Sequence, residues 1–215
     1  MSIRHAILAL AFAAAGAPAA FAAPMFGFNE PFTGPGVGGW SANIPEVSNP
    51  GTGGVQGSGD GYLYMRHTGG NLGSHCGFCP EYSGDWVAAG ITHLGLSLND
   101  VGTDEALELH VVIGNDDSFW LYHTGFDPPN GEWARFVVDL TDSLKFTRII
   151  GSPVISFDDA MRGVTKLQVR HDLAPFVQDP NDIAGDFGAD EITLGDLATP
   201  VAHGSWGRLK ALYRD

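Results

Sequence analysis

Positive charge is scarce in this 215-residue chain. It has 11 Lys and Arg against 25 Asp and Glu, which gives a net charge of −14 with neutral histidines. Nucleic acids and anionic membranes are bound through cationic patches, so this balance argues against both as partners. Cation binding, or plain solubility, fits the composition better.

Motifs of common hydrolases and nucleotide enzymes are missing as well. The sequence has no Gly-x-Ser-x-Gly elbow, no His-Glu-x-x-His motif and no phosphate-binding loop. Asp116-Asp117 and Asp158-Asp159 are adjacent carboxylates in turn-like segments, whereas glycosidase carboxylates must face one another across about 5 to 9.5 Å. The histidines show no metal-ligand spacing on one element. We therefore expect a protein that is not an enzyme.

Long apolar runs are absent beyond the N-terminus. Residues 1–22 combine Arg4, an apolar run over 6–15 and the small-residue site Ala20-Phe21-Ala22, which is the pattern of a secretory signal peptide. The run is too short for a bilayer core of about 30 Å, which needs about 20 apolar residues. We expect cleavage after Ala22, a location outside the cell or at its surface, with the periplasm as a further option, and no transmembrane anchor.

Cysteine is limited to Cys76 and Cys79. In an exported chain two such cysteines are most simply a disulfide, and the first and last residues of a four-residue turn lie within its reach. Metal ligation and free thiols are the alternatives. A redox role of the thioredoxin type would need a helix starting at Cys76, and the glycine-rich stretch before it gives no such signal.

Short strands dominate the remaining sequence. Apolar and polar residues alternate in 94–98 and 107–113, and turn formers separate these segments from similar ones. This pattern predicts an all-β sandwich of two antiparallel sheets, which we place at residues 24–197. Residues 198–215 are interpreted as a linker and a short basic C-terminal helix or tail.

The order of landmarks resembles the laminin B type module (laminin domain IV) of secreted bacterial proteins. The matching pieces include Gly38-Gly39-Trp40-Ser41, Gly59-Asp60-Gly61-Tyr62-Leu63, Tyr82-Ser83-Gly84-Asp85-Trp86, Trp133-Ala134-Arg135-Phe136 and Gly188-Ala189-Asp190-Glu191-Ile192-Thr193-Leu194. Over about residues 28–195 this resemblance implies a jelly roll similar to galactose-binding-like domains and carbohydrate-binding modules. The cysteine pair and Asp190-Glu191 depart from the family pattern, and a fold alone does not assign a ligand.

The resemblance also implies a structural calcium ion where the first strand meets the last. The residues at these places are Glu30 and Asp190, and Asp60 lies in a glycine-flanked turn that brings carbonyl groups near. Calcium takes six to eight oxygen ligands at about 2.3–2.6 Å. The alternative is that Glu30 is exposed and that Asp190 pairs with an arginine or caps a turn.

A sugar site would need exposed aromatic side chains. Trp120 and Tyr122 share one face of a predicted strand, and with His110 on the preceding strand they would form a platform if that face is solvated. The alternative, which we favour, places Trp120 and Tyr122 in the core while Phe119 and Leu121 face out.

Loops near Tyr62 and Tyr82 are a second location for a binding site. Together these features favour a secreted, non-catalytic binding or adhesion module that recognises a polysaccharide or a matrix component. The alternative is a structural protein of the cell surface or matrix, with protein partners and with residues 203–215 used for docking or sorting.

Overall fold

The computed structural model describes residues 23–43, 45–102 and 105–196. The predicted signal peptide, the C-terminal helix and the docking tail therefore lie outside the described residues. The strands are β1 (Asn29–Glu30), β2 (Trp40–Ser41), β3 (Glu46–Ser48), β4 (Leu63–Asn71), β5 (Gly73–Gly77), β6 (His93–Asn99), β7 (Leu109–Asn115), β8 (Ser118–Tyr122), β9 (Ala134–Asp139), β10 (Phe146–Gly151), β11 (Lys166–His171) and β12 (Asp182–Gly195).

Two antiparallel sheets pack face to face. Sheet A has the order β3-β4-β12-β6-β9, with β1 also paired to β12, and sheet B has the order β10-β8-β7-β11-β5-β2. Every pairing between these strands is antiparallel. The predicted all-β sandwich of two antiparallel sheets is confirmed.

The core lies between the sheets because apolar residues recur at every second position of their central strands. Leu94, Leu96 and Leu98 of β6 belong to it from sheet A, and alternate residues of β7 such as Leu109 and Val111 belong to it from sheet B. Each fully buried aliphatic side chain of this kind contributes about 1.5–3 kcal/mol to folding. The residues between them point to the outer faces of the two sheets.

Helical structure is slight in the described residues. The five-residue helix α1 (Phe157–Met161) begins at a capping box, in which Ser156 and Asp159 bond to each other's backbone amides. A 3₁₀ turn spans Ser143–Lys145. No helix among the described residues is long and apolar enough to cross a membrane.

The Cys76–Cys79 disulfide is present, with the two Cα atoms 5.7 Å apart. It joins the end of β5 to the loop that follows, and the sulfur atoms pack beside Gly39 of the loop before β2. The amide of Phe78, between the cysteines, donates to the Thr165 carbonyl at 2.7 Å. The predicted stapled loop is thus confirmed, and it fixes where β5 ends beside β11.

Candidate functional site on the outer face of sheet B

The outer face of sheet B carries polar side chains at alternate positions. In β11, Leu167 and Val169 lie in the core, so Lys166, Gln168 and Arg170 point away from it. The same alternation turns His75 of β5 outward. The face that sheet B presents to solvent is therefore built by every second residue of its strands.

Cross-strand pairing sets these side chains in rows. In the middle row Val112 lies opposite Gln168, which lies opposite His75. In the next row Phe119 of β8 and Lys166 of β11 both flank Gly114 of β7. Because Gly114 has no side chain, the Lys166 ammonium reaches the Phe119 ring, and its Nζ lies 5.3 Å from the ring centre.

Loops flank this face on two sides, and together they form a cleft of about 260 Å³. One wall comes from the segment after β2 and the other from the segment between β11 and β12. Lining residues from the walls and the edge strand are Ala42, Asn43, Pro45, Ile149, Ile150, Gln178, Asp179 and Pro180. The cleft has polar groups at its sides and a partly apolar floor.

Arg170 fastens the second wall. Its guanidinium donates to the Asp172 carboxylate and to the carbonyl oxygens of Val177 and Gln178, at 2.7 and 2.8 Å. Arg170 and Asp172 are both buried. Loss of solvent lowers the pKa of Arg170, and the Asp172 charge opposes that shift. The pair holds residues 173–180 against the sheet.

Two histidines at the same end of the face contact this wall through Phe176. His110 is fully buried, and its Nδ1 lies 2.8 Å from the Tyr122 carbonyl oxygen while its Nε2 lies 3.1 Å from Oε1 of Glu108. Phe176 of the wall covers the His110 ring at 4.8 Å and stacks on the exposed His123 ring at 6.1 Å. His110 is therefore a packed support of the wall and does not face a ligand.

The exposed platform of Trp120 and Tyr122 is not formed, which corrects that prediction. Tyr122 is buried among core rings, 5.1 Å from Phe146. Trp120 is half-buried, with its ring edge against Phe157 at 5.7 Å. The favoured alternative holds: the inner face of β8 packs on α1 and β10, and Phe119 is the ring that faces outward.

Tyr82 also lies in the core. It is buried, and its ring packs edge-to-face on Phe28 at 5.3 Å and on Trp40 at 5.9 Å. Burial raises its pKa well above the usual value. It therefore presents no surface to a ligand.

Tyr62 is buried on the other side of the sandwich, over sheet A. Its ring packs against Trp133 at 5.2 Å and against Tyr64 at 6.3 Å. The two sheets thus separate it from the cleft, and it is no part of the site on sheet B.

The structure brings two of the three candidate calcium ligands together. Residues 49–61 cover part of the outer face of sheet A, and a Cβ on Gly54 would lie 2.6 Å from Oδ2 of Asp60 and 2.8 Å from Oδ2 of Asp190. The Gly61 carbonyl oxygen would be 2.3 Å from the same point. Three oxygens therefore converge where a glycine leaves room for them.

These two carboxylates are held unequally. Asp190 is fully buried and accepts backbone amides from Val55 at 2.9 Å and Glu191 at 2.7 Å. Asp60 accepts the Gln56 amide at 2.7 Å through Oδ2, while its buried Oδ1 has no hydrogen-bond partner among the described residues. Burial raises the pKa of Asp190 to about 6, and the Asp60 charge adds to the rise.

Glu30 has different neighbours. Its Oε1 accepts the Phe32 amide at 3.4 Å, and burial raises its pKa with a further contribution from Glu81. Within the described part of the chain, no group of three or more His, Cys, Asp and Glu side chains could together hold a metal ion. A calcium ion at Asp60 and Asp190 would thus depend on carbonyl and water oxygens for its other ligands.

Comparison with known proteins gives a fold. No family model matches the sequence, and no curated protein matches it. The solution structure of CtCBM11, a carbohydrate-binding module, is similar over 80% of this chain and 97% of its own, with 18% identity and a TM-score of 0.51. The fold is a jelly-roll β-sandwich.

Two further structures support the same fold. The CBM22-1-CBM22-2 tandem domain of Xyn10C from Paenibacillus barcinonensis is similar over 78% of this chain and 48% of its own, with 10% identity and a TM-score of 0.50. An exo-beta-agarase is similar over 79% of this chain, with 13% identity and a TM-score of 0.51. This chain spans about a quarter of the agarase, 24% of its length. The finer resemblance to laminin B type modules stays a prediction.

Sequence reasoning missed the cleft residues Lys166, Gln168, Arg170 and His75 as a group. The signal for three of them was present, because they alternate with Leu167 and Val169 in one strand. Nothing in the sequence indicates that β11 pairs with β5, so His75 could not be joined to them. The outward position of Phe119 was named, but only as one of two alternatives.

Proposed function

We propose that this chain is a non-catalytic polysaccharide-binding module and that the cleft on sheet B is its binding site. The observation that carries the proposal is the outward ring of Phe119 on a floor shared with Gln168 and His75, between two loop walls. Sugars bind by stacking on flat apolar groups while polar groups contact their hydroxyls. The jelly-roll fold of the carbohydrate-binding modules supports this assignment.

A glycosidase is disfavoured by the charges of the cleft. Among the described residues that line it, Asp179 is the one carboxylate, whereas hydrolysis of a glycosidic bond uses two facing carboxyl groups. The similarity to an exo-beta-agarase covers 24% of that protein's length. A module that holds a polymer without cleaving it fits the lining better.

Replacing the floor residues tests this proposal. Phe119→Ala and Gln168→Ala should each weaken binding to a polysaccharide about tenfold or more, which corresponds to about 1.4 kcal/mol, because each removes a contact made only through the cleft. Affinity electrophoresis against a panel of soluble polysaccharides measures the change.

Leu144→Ala is the control for the cleft variants, since Leu144 is an exposed apolar residue of the 3₁₀ turn. It should bind as the unaltered protein does. Equal binding by Phe119→Ala, Gln168→Ala and the control, or no binding to any polymer of the panel, would refute the cleft as a polysaccharide site.

A structural calcium ion is a second part of the proposal. Asp60 and Asp190 would hold it together with the Gly61 carbonyl, and the buried, unpartnered Oδ1 of Asp60 supports the assignment. The ion would neutralise two buried like charges and join residues 49–61 to β12. Glu30 is not part of this group.

Removal of calcium should lower the melting temperature, because an ion that binds only the folded state stabilises it by mass action. Asp60→Asn should abolish this response while leaving the melting temperature in chelator unchanged or higher, since it removes a charge next to Asp190. Calorimetry with calcium and with chelator measures both. A melting temperature indifferent to calcium in the unaltered protein would rule out the ion.

A further inference from the structure

We infer that the polysaccharide bound in the cleft is acidic, carrying carboxylate or sulfate groups that the ammonium of Lys166 binds. The inference rests on the proposed function of the cleft and names the chemical class of its ligand. It follows from the position of Lys166 and from the residues on either side of it.

Lys166 is a half-buried cation on the floor of the cleft. It forms no salt bridge with a described residue, whereas Lys145 pairs with Asp139 at 2.8 Å and Arg170 pairs with Asp172. Its Nζ lies 5.3 Å from the centre of the Phe119 ring. A cation that has lost part of its water without gaining a carboxylate retains binding capacity for an anion.

The strand register keeps this ammonium accessible. Lys166 lies opposite Gly114 of β7 on one side and opposite Gly77 of β5 on the other. Neither neighbour has a side chain that could cover the amine or pair with it. An anionic group entering the cleft therefore meets Lys166 directly.

Lys166 and Arg170 are the Lys and Arg residues that line the described part of the cleft. Burial lowers the pKa of His75, and the charge of Lys166 lowers it further. Burial also lowers the pKa of Lys166, with a smaller contribution from the charge of Arg170. Asp116 opposes the shift of Lys166, and Asp179 lies on the wall near Arg170. Because Asp172 already pairs with Arg170, the cation left for a ligand is Lys166.

One acidic sugar unit could contact both the Phe119 ring and the Lys166 ammonium. Its ring would lie against Phe119 while a carboxylate or sulfate at the ring edge would reach the ammonium beside it. The net charge of −14 on the whole chain does not prevent this contact at physiological salt, where charges further away than about 8 Å are screened. Binding should therefore be measured at about 0.15 M salt.

The experiment compares polymers that differ in charge alone. Polygalacturonate is set against its methyl ester, and carrageenan against the same polymer after desulfation, with affinity electrophoresis or calorimetry as the measurement. At least one acidic polymer should bind about tenfold or more tightly than its neutral counterpart. Which acidic polymer binds tells whether the group recognised is a carboxylate or a sulfate.

Variants assign the preference to Lys166. Lys166→Gln should reduce binding of the acidic polymer to the level of the neutral one, and Lys166→Arg should keep most of it because the charge remains. Arg66→Gln removes the same charge from the exposed outer face of sheet A and should change nothing. Equal melting temperatures show that the variants are folded.

Two negative outcomes are distinguishable. If neutral polymers bind as tightly as acidic ones, Lys166→Gln binds normally and Phe119→Ala does not, the acidic ligand is refuted and the polysaccharide site stands. If no polymer binds in a way that depends on Phe119, both the ligand class and the proposed function are refuted.

Discussion

Asp190 is a buried carboxylate with a strongly shifted pKa. It is fully buried and accepts two backbone amides, yet its pKa is raised to about 6 because burial and the nearby Asp60 outweigh those bonds. In the folded state this carboxylate holds a proton below a pH of about 6 and carries a buried charge above it. Its titration is therefore a sensitive measure of whether an ion is bound.

In chelator, the contribution of Asp190 to the free energy of unfolding should fall as the pH rises from about 4 to about 6. The pKa of Asp190 is about 6 in the folded state and about 3.9 in the unfolded state. Between these two pH values the folded state binds the proton more tightly than the unfolded state, and this stabilisation is lost as the pH rises through 6. The loss amounts to at most about 3 kcal/mol. Urea unfolding at several pH values measures it.

Asp60→Asn is the comparison for this pH dependence, since it removes the charge that helps to raise the pKa of Asp190. The variant should lose less stability than the unaltered protein over the same range. The pKa of Glu30 is also raised. Because Glu30 titrates in both proteins, its contribution to stability cancels when the two pH profiles are subtracted. Identical pH profiles would show that the two carboxylates do not interact.

Phe119 and Trp120 show how far single residues can be placed from sequence. Both faces of β8 are apolar, with Phe119 and Leu121 on one side and Trp120 and Tyr122 on the other, so alternation alone cannot say which pair is inside. The choice is made by α1 and β10, whose Phe157 and Phe146 pack on the inner face. Those contacts are distant in sequence and leave no local pattern.

Among the elements, the segment between β11 and β12 depends on one buried ion pair. Arg170 and Asp172 sit two residues apart at the end of β11, and the guanidinium also holds two carbonyl groups of the segment. A buried pair of this kind stabilises little compared with apolar packing, but removing one partner leaves a charge without compensation. The wall of the cleft is therefore sensitive to either residue.

Arg170→Met should destabilise the protein by about 3–5 kcal/mol, because the Asp172 carboxylate would stay buried without its partner. The double variant Arg170→Met with Asp172→Leu should recover part of this loss, since no buried charge is then left alone. Urea unfolding compares the two. A double variant less stable than the single one would show that the pair itself, and not the stranded charge, is what matters.

Element boundaries were better predicted than the way elements meet. Segment 94–98 lies within β6 and segment 107–113 overlaps most of β7, because apolar residues recur at every second position. The Cys76–Cys79 disulfide was predicted from the expected export of the chain together with the spacing of the two cysteines. The position of the wall at 173–180 was not predicted. It depends on the hydrogen bonds that the Arg170 side chain makes to this segment, and strand periodicity does not indicate them.

At the scale of the whole molecule the two outer faces have different roles. Sheet A is partly covered by residues 49–61, which Asp190 and Trp133 hold in place through Val55 and Gly53. Sheet B carries the cleft. The sandwich class could be predicted from alternation, but the pairing of β12 with both β4 and β6 could not, because it joins segments far apart in the chain.

Export of the whole chain is the remaining prediction at this scale. We propose that residues 1–22 direct secretion, and the disulfide between Cys76 and Cys79 supports an oxidising location. Expressed in a secreting bacterial host, the protein should be recovered outside the cytoplasm with Ala23 as its first residue. Mass spectrometry of the intact protein measures this, and an unprocessed chain in the cytoplasm would contradict it.

The pairing of β1 with β12 has a mechanical consequence. Asn29 lies beside Thr193, and the Gly27 amide bonds to the Leu194 carbonyl, so the chain enters and leaves the sandwich through neighbouring antiparallel strands. A force that separates residues 27 and 194 would load these hydrogen bonds one after another instead of all at once. The two-residue strand β1 would peel away first, while the strands of sheet B, on the opposite side, would not yet carry the load.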